Sequence, residues 1–170
     1  MAKVIRKGIT ILGIVLTAVL LLIGSSANAA QAAKFSWGFT STAFLTGLAD
    51  FVIQVDSVVN VTEIDVFDKS GALVRVSQHL VEQDTFTANG KTLVSEPFSF
   101  NIELGFDSSG NLTRFTSEGP GAKVRLPDGG LFVTAGFIDW LTHPPGTTYI
   151  LAPDKGSCVN LEGLIKALSP

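Results

Sequence analysis

Along most of the chain apolar residues return at every second position, the spacing that sends alternate side chains of a strand to opposite faces of a sheet. The clearest run is Phe98, Phe100, Ile102, Leu104 and Phe106, separated by Ser99, Asn101, Glu103 and Gly105. It predicts a strand with one buried and one wetter face. Shorter runs of the same kind cover 51–55, 61–67, 73–81, 112–116, 123–126 and 131–137. Phe35, Trp37 and Phe39 alternate like a short edge strand that follows a loose tail from Ala30 to Lys34. Roughly six to eight strands are expected in all.

The breaks between these runs carry turn chemistry: Asp68-Lys69-Ser70-Gly71, Ala88-Asn89-Gly90-Lys91, Asp107-Ser108-Ser109-Gly110 and Pro127-Asp128-Gly129-Gly130. Each puts Gly, Asn or Asp where a hairpin needs positive φ or a local side-chain hydrogen bond. Consecutive strands should therefore be antiparallel neighbours. No long helical pattern lies between them, which excludes the parallel α/β folds. Phe67-Asp68-x-Ser70-Gly71-x-Leu73-x-Arg75 recurs as Phe106-Asp107-x-Ser109-Gly110-x-Leu112-x-Arg114. We read the echo as two hairpins built to one turn plan, not as a repeat array, since two copies are too few for a stack.

The last segment differs in kind. Leu161, Leu164, Ile165 and Leu168 form one helical stripe, with Ser157 or Asn160 as the cap and the helix beginning at about 157. Pro144-Pro145-Gly146 forces a loop before it. So short a helix is marginal alone and is expected to dock on the sheet.

The N-terminus changes the picture of where the domain works. Lys3, Arg6 and Lys7 precede an uncharged run from Ile9 to Ile23, which ends in Ala27, Asn28, Ala29 and Ala30. That order predicts a secretory signal peptide over residues 1–29, cut after Ala29, with Ala30 and Ala32 offering a second register. As a helix the run spans only about 22 Å, short of the roughly 30 Å hydrocarbon core, so a stable membrane anchor after processing is not expected. Without an Arg-Arg pair or a Cys near the cut, general secretion of an unlipidated protein remains. Residues 30–170 then form a single β-rich domain that is secreted, either extracellular or in the periplasm or envelope.

Processing shifts the formal charge from −3 to about −6, because three of twelve basic residues leave while all fifteen acidic ones stay. Scattered cations on an acidic domain exclude nucleic acid and anionic membrane as partners. Cys158 is the only cysteine, so no intrachain disulfide forms, and a buried thiol is the expected state over a cross-linked or reactive one.

Candidate chemistry is sparse. His79 and His143 alone make no metal site, and no cofactor is implied. Asp107, Ser109, Asn111, Thr113 and Glu118 imitate a calcium loop, but Leu112 stands where Gly is required. Asn60-Val61-Thr62 and Asn111-Leu112-Thr113 match the glycosylation triplet. Asp56, Glu63, Asp65, Glu82, Asp84, Glu96 and Glu103 lie on or beside strands and are expected to be outward, solubilising charges. No catalytic residue is identified. Phe98, Phe100, Ile102, Leu104 and Phe106 are the candidate binding residues, because an aromatic wall with few polar groups is what an apolar pocket is made of. The arrangement expected of them is nevertheless ordinary core, filled by the Leu161–Leu168 stripe.

The Asn89-Gly90-Lys91 turn, the Gly110-x-Leu112 hairpin, the Leu131-Phe132-Val133-x-x-Gly136 segment and a short last helix with one Cys resemble small secreted β-rich bacterial proteins of uncharacterised function. The resemblance implies no activity. It departs from the usual pattern in lacking a second Cys near the mature N-terminus, so a disulfide tying down the last helix is lost.

The expected fold is mainly β, an antiparallel meander forming a small barrel or two-layer sandwich, with a short C-terminal α-helix. The expected function is that of an exported non-catalytic domain binding a hydrophobic small molecule or a cell-envelope component. The alternative is a small barrel enzyme, of isomerase or hydrolase type, acting on a hydrophobic substrate. Lipocalin-shaped and allene-oxide-cyclase-like barrels illustrate that alternative by analogy of fold alone.

Overall fold

The computed structural model describes residues 31–143 and 154–170, so the segment 1–29 and the Pro144-Pro145-Gly146 loop lie outside the described residues. The elements are β1 (Gln31–Leu45), β2 (Ile53–Phe67), β3 (Leu73–Ala88), β4 (Lys91–Val94), β5 (Phe98–Phe106), β6 (Leu112–Arg125), β7 (Leu131–Asp139), β8 (Lys155–Val159) and α1 (Leu161–Leu168). They form the antiparallel meander that the alternation predicts. Sheet order is β1-β2-β3-β5-β6-β7-β8, with β4 on β3. The sheet is open, with β1 at one end and β8 at the other.

Several short runs prove to be parts of long strands. Runs 51–55 and 61–67 belong to one fifteen-residue strand, β2, and 112–116 and 123–126 to one fourteen-residue strand, β6. The tail expected from Ala30 to Lys34 is, from Gln31 onward, the start of the fifteen-residue β1. Its register with β2 continues to Gln31 opposite Phe67, so the partner strand extends it beyond the residues whose alternation is visible. β3 pairs β4 over Thr85–Ala88 and β5 over Arg75–Glu82. Between those partners Ser95 bridges Val124, and the Glu96 amide donates to the Lys123 carbonyl at 2.7 Å. Pro97 follows, with no amide to continue a ladder.

The two echoed hairpins share the same backbone hydrogen bonds to their Asp. Asp68 Oδ1 accepts from the amides of Ser70 and Ala72, and Asp107 Oδ1 from those of Ser109 and Asn111, at 2.8–3.0 Å. Both hairpins carry a register shift at the strand end, and both place glycine at positive φ, Gly71 at 85° and Gly110 at 81°. A Cβ at either position would meet nothing within 4 Å, so only backbone strain opposes a side chain there. Gly71→Ala and Gly110→Ala should each cost on the order of 1 kcal/mol. Denaturant titration checks this, and no loss in either variant would contradict a shared turn plan. Asn89 and Gly90 are both left-handed, at φ 51° and 71°, as a tight two-residue hairpin requires.

Gly119, Gly136 and Gly156 stand side by side across β6, β7 and β8. A Cβ on Gly119 would lie 2.9 Å from the Phe100 Cα, and one on Gly156 2.1 Å from the Ala135 carbonyl oxygen. The glycines let these backbones approach closely, and an adjacent register shift between Pro120 and Ala122 bends the sheet. As a result Ile53 and Val55 of β2, Phe86 of β3, Val124 of β6 and Phe132 of β7 share one core cluster with Leu164 and Leu168 of α1. Strands far apart in sheet order meet there because the sheet curls around the helix.

Asn160 caps α1, its Oδ1 accepting from the Gly163 amide at 3.2 Å, so the helix begins at Leu161 and not near 157. Ser157 and Cys158 lie instead in β8, where pairing with β7 holds them extended. Cys158 is exposed, contrary to the buried thiol expected. An edge strand with α1 turned away covers it poorly. Partial desolvation still raises its thiol pKa, the opposite of an activated thiolate.

Candidate functional site

Cross-strand register assembles the inner face of the sheet row by row. Trp37, Val61, Leu80 and Phe100 are successive partners on β1, β2, β3 and β5. The next row is Phe39, Val59, Glu82 and Phe98. Ile102 and Leu104 extend the ladder opposite Gln78 and Val76, and Phe106 pairs with Leu112 past the register shift. The sequence thus places Phe98, Phe100, Ile102, Leu104 and Phe106 on one face correctly. Phe98 is buried and stacks on Phe100 at 6.2 Å, while the other four are half-buried.

What fills that face differs from expectation. The Leu161–Leu168 stripe covers the Ile53, Phe86 and Phe132 end, not the Phe100 end. Val59, Val61 and Leu80 form a separate cluster whose packing partners are Phe100 and Ile102, strand residues alone. The reason is reach: an eight-residue helix spans only about 12 Å, whereas a fifteen-residue strand such as β2 runs about 50 Å. Beside the second cluster Trp37 and Phe39 stack at 5.4 Å while staying 41% and 38% exposed.

Four of the carboxyl groups expected to point outward face inward instead. Glu63 and Asp65 of β2, and Glu82 and Asp84 of β3, share the parity of Val61 and Leu80. Asp84 is 1% exposed and lies between the two apolar clusters. Ser57 Oγ donates to its Oδ1 at 2.5 Å, and its own amide donates to Ser95 Oγ at 2.8 Å. Asp84 Oδ2 has no donor unless one carboxyl of the Glu82–Asp84 pair carries a proton. Burial pushes Glu82 up to about 8, reinforced by the adjacent Asp84 charge and hydrogen bond. Asp84 is raised by the same desolvation, which its hydrogen bonds from Ser57 and Glu82 oppose. One proton shared by the two groups therefore satisfies the buried oxygen. Asp65 is likewise raised by burial and by Glu63, which accepts from Gln78 Nε2 at 2.5 Å. The signal for all four was parity: Val61-x-Glu63-x-Asp65-x-Phe67 and Leu80-x-Glu82-x-Asp84-x-Phe86 put the acids on the face of the apolar residues.

The remaining carboxylates face water as expected. Glu96 pairs with Lys123 and Arg125, Glu103 with Arg114, and Asp56 accepts from Thr42 Oγ1 at 2.6 Å. His79 contacts Asn101 at 3.0 Å on the outer face. His143 Nδ1 lies 3.0 Å from Asp154, and no hydroxyl or thiol among the described residues is bonded to its Nε2. Among the described residues no three His, Cys, Asp or Glu side chains converge to hold a metal. Two open grooves, of about 620 and 520 Å³, lie over Gly119, Gly136 and Gly156 and beside Asp50 and Ile165. Neither is lined by the Phe98–Phe106 ladder.

No protein-family model, curated protein or solved structure matches this chain. The functional reading therefore rests on the inner face itself.

Proposed function

We propose that this is an exported binding domain that holds an apolar small molecule against the half of its inner face that α1 leaves uncovered. The observation that carries the reading is the Val59, Val61, Leu80, Phe100 and Ile102 cluster, formed by strand residues only and flanked by the exposed Trp37–Phe39 stack. Apolar surface of that kind on a sheet rigidified at its other end by a helix suits a preformed ligand site. The Glu82 carboxyl at its border shares its proton with Asp84, so the oxygen it leaves free can accept a hydrogen bond from a ligand hydroxyl or N–H group.

Nile red, a neutral apolar dye, tests this. It should bind saturably with enhanced fluorescence, and Phe100→Ala should weaken it about fivefold or more, the loss expected when a large contact worth about 1 kcal/mol is removed. Ser99→Ala, on the opposite face, should leave binding unchanged. Equal binding to both variants would refute the assignment.

The enzyme reading is favoured by one observation, the same Glu82, since a carboxylic acid kept neutral near pH 7 can act as a general acid. Under that reading Glu82→Gln keeps dye binding and loses proton transfer.

A further inference from the structure

Among the described residues the outer edge of β1 is the longest strand edge without a partner. It carries fifteen residues, nearly all exposed, and pairs with β2 on one side only. Long edges are ordinarily blunted by proline, bulges or repeated charges. β1 has no proline, no register shift against β2 and a single charge, Lys34. Its free backbone groups therefore call for another strand.

We propose that β1 pairs antiparallel with β1 of a second copy, making one continuous sheet through a two-fold axis at Gly38. Gly38 is the midpoint of the strand, so this register alone pairs all fifteen residues, with Gln31 opposite Leu45 of the other copy. The seam would be about 50 Å long with roughly fourteen new backbone hydrogen bonds. Its side chains are self-complementary. On the inner face Trp37 meets Phe39 of the other copy, so the two stacked pairs merge into one four-ring ladder. On the outer face Lys34, which has no ion pair among the described residues, meets Thr42 of the other copy. That threonine donates to Asp56, which places a carboxylate one strand beyond the lysine. No like charges are opposed anywhere along the seam. An isologous contact of this kind closes on itself and gives a dimer.

The full chain, expressed and purified as its host processes it and kept reduced because of the exposed Cys158, should have the mass of a dimer by sedimentation at micromolar concentration. Ser36 and Thr40 are exposed and, in this register, face each other across the seam. Ser36→Lys with Thr40→Lys opposes like charges twice and should raise the dimer dissociation constant at least about tenfold. Ser36→Lys with Thr40→Glu opposes unlike charges twice and should remain dimeric. Circular dichroism confirms that each variant keeps its sheet. A monomeric parent, a dimer equally indifferent to both double variants, or open-ended growth through a β1–β8 contact would overturn the proposal.

Discussion

Phe86→Ala should destabilise the domain by about 3–5 kcal/mol, a large share of the roughly 5–15 kcal/mol that holds a domain of this size together. Phe86 is fully buried and meets Phe132 edge-on at 6.3 Å, in the cluster where β2, β3, β6 and β7 converge on Leu164 and Leu168. Removing its ring leaves a cavity in the cluster where distant strands and the helix meet. The curled sheet and the docked helix both depend on that contact, so neither can collapse to fill the gap. Urea unfolding with the slope unchanged measures the loss. A cost below about 1 kcal/mol would mean that the helix end is not the main core.

A second large effect concerns pH. Glu82 titrates from 4.5 in the unfolded chain to about 8 in the folded one. Between those values the folded protein holds a proton that the unfolded chain has released. Stability is therefore fully present below about pH 4.5 and falls as pH rises toward about 8, by up to roughly 1.4 kcal/mol per pH unit at its steepest. Water reaching Glu82 discounts the total to an order of a few kcal/mol. Glu82→Gln keeps a donor for Asp84 Oδ2 without a titrating proton. It should flatten the decline and leave the variant at least as stable as the parent at pH 8. Thermal melts of both proteins from pH 5 to 8.5 decide the matter. A decline that persists in the glutamine variant would refute the shared-proton pair.

Turn chemistry was legible in the sequence. The Asp-x-Ser-Gly turns could be read from the sequence because their hydrogen bonds close within five consecutive residues, and Asp68 and Asp107 are accordingly held below the usual carboxylate range by them. The Phe98–Phe106 face could be read because a strand's period of two is a property of the backbone, not of its neighbours. The same parity was available for Glu82 and Asp84, but charge suggested solvent, and only the Ser57 hydroxyl donated from β2 and the proton shared within the pair make an inward acid tolerable.

The chain order alone thus settles strand direction, the hairpin turns and the presence of a final amphipathic helix, since these depend on covalent geometry and contacts a few residues apart. Which end of the inner face α1 would cover was decided only by the tertiary fold. That choice depends on how sharply the Gly119–Gly136–Gly156 row and the Pro120–Ala122 register shift curl the sheet. The same holds for β1: its length follows from the fifteen partners offered by β2, not from its own alternation. Burial is a sum over neighbours distant in sequence, so one face could become core against the helix at one end and be packed by strand residues at the Trp37–Phe100 end.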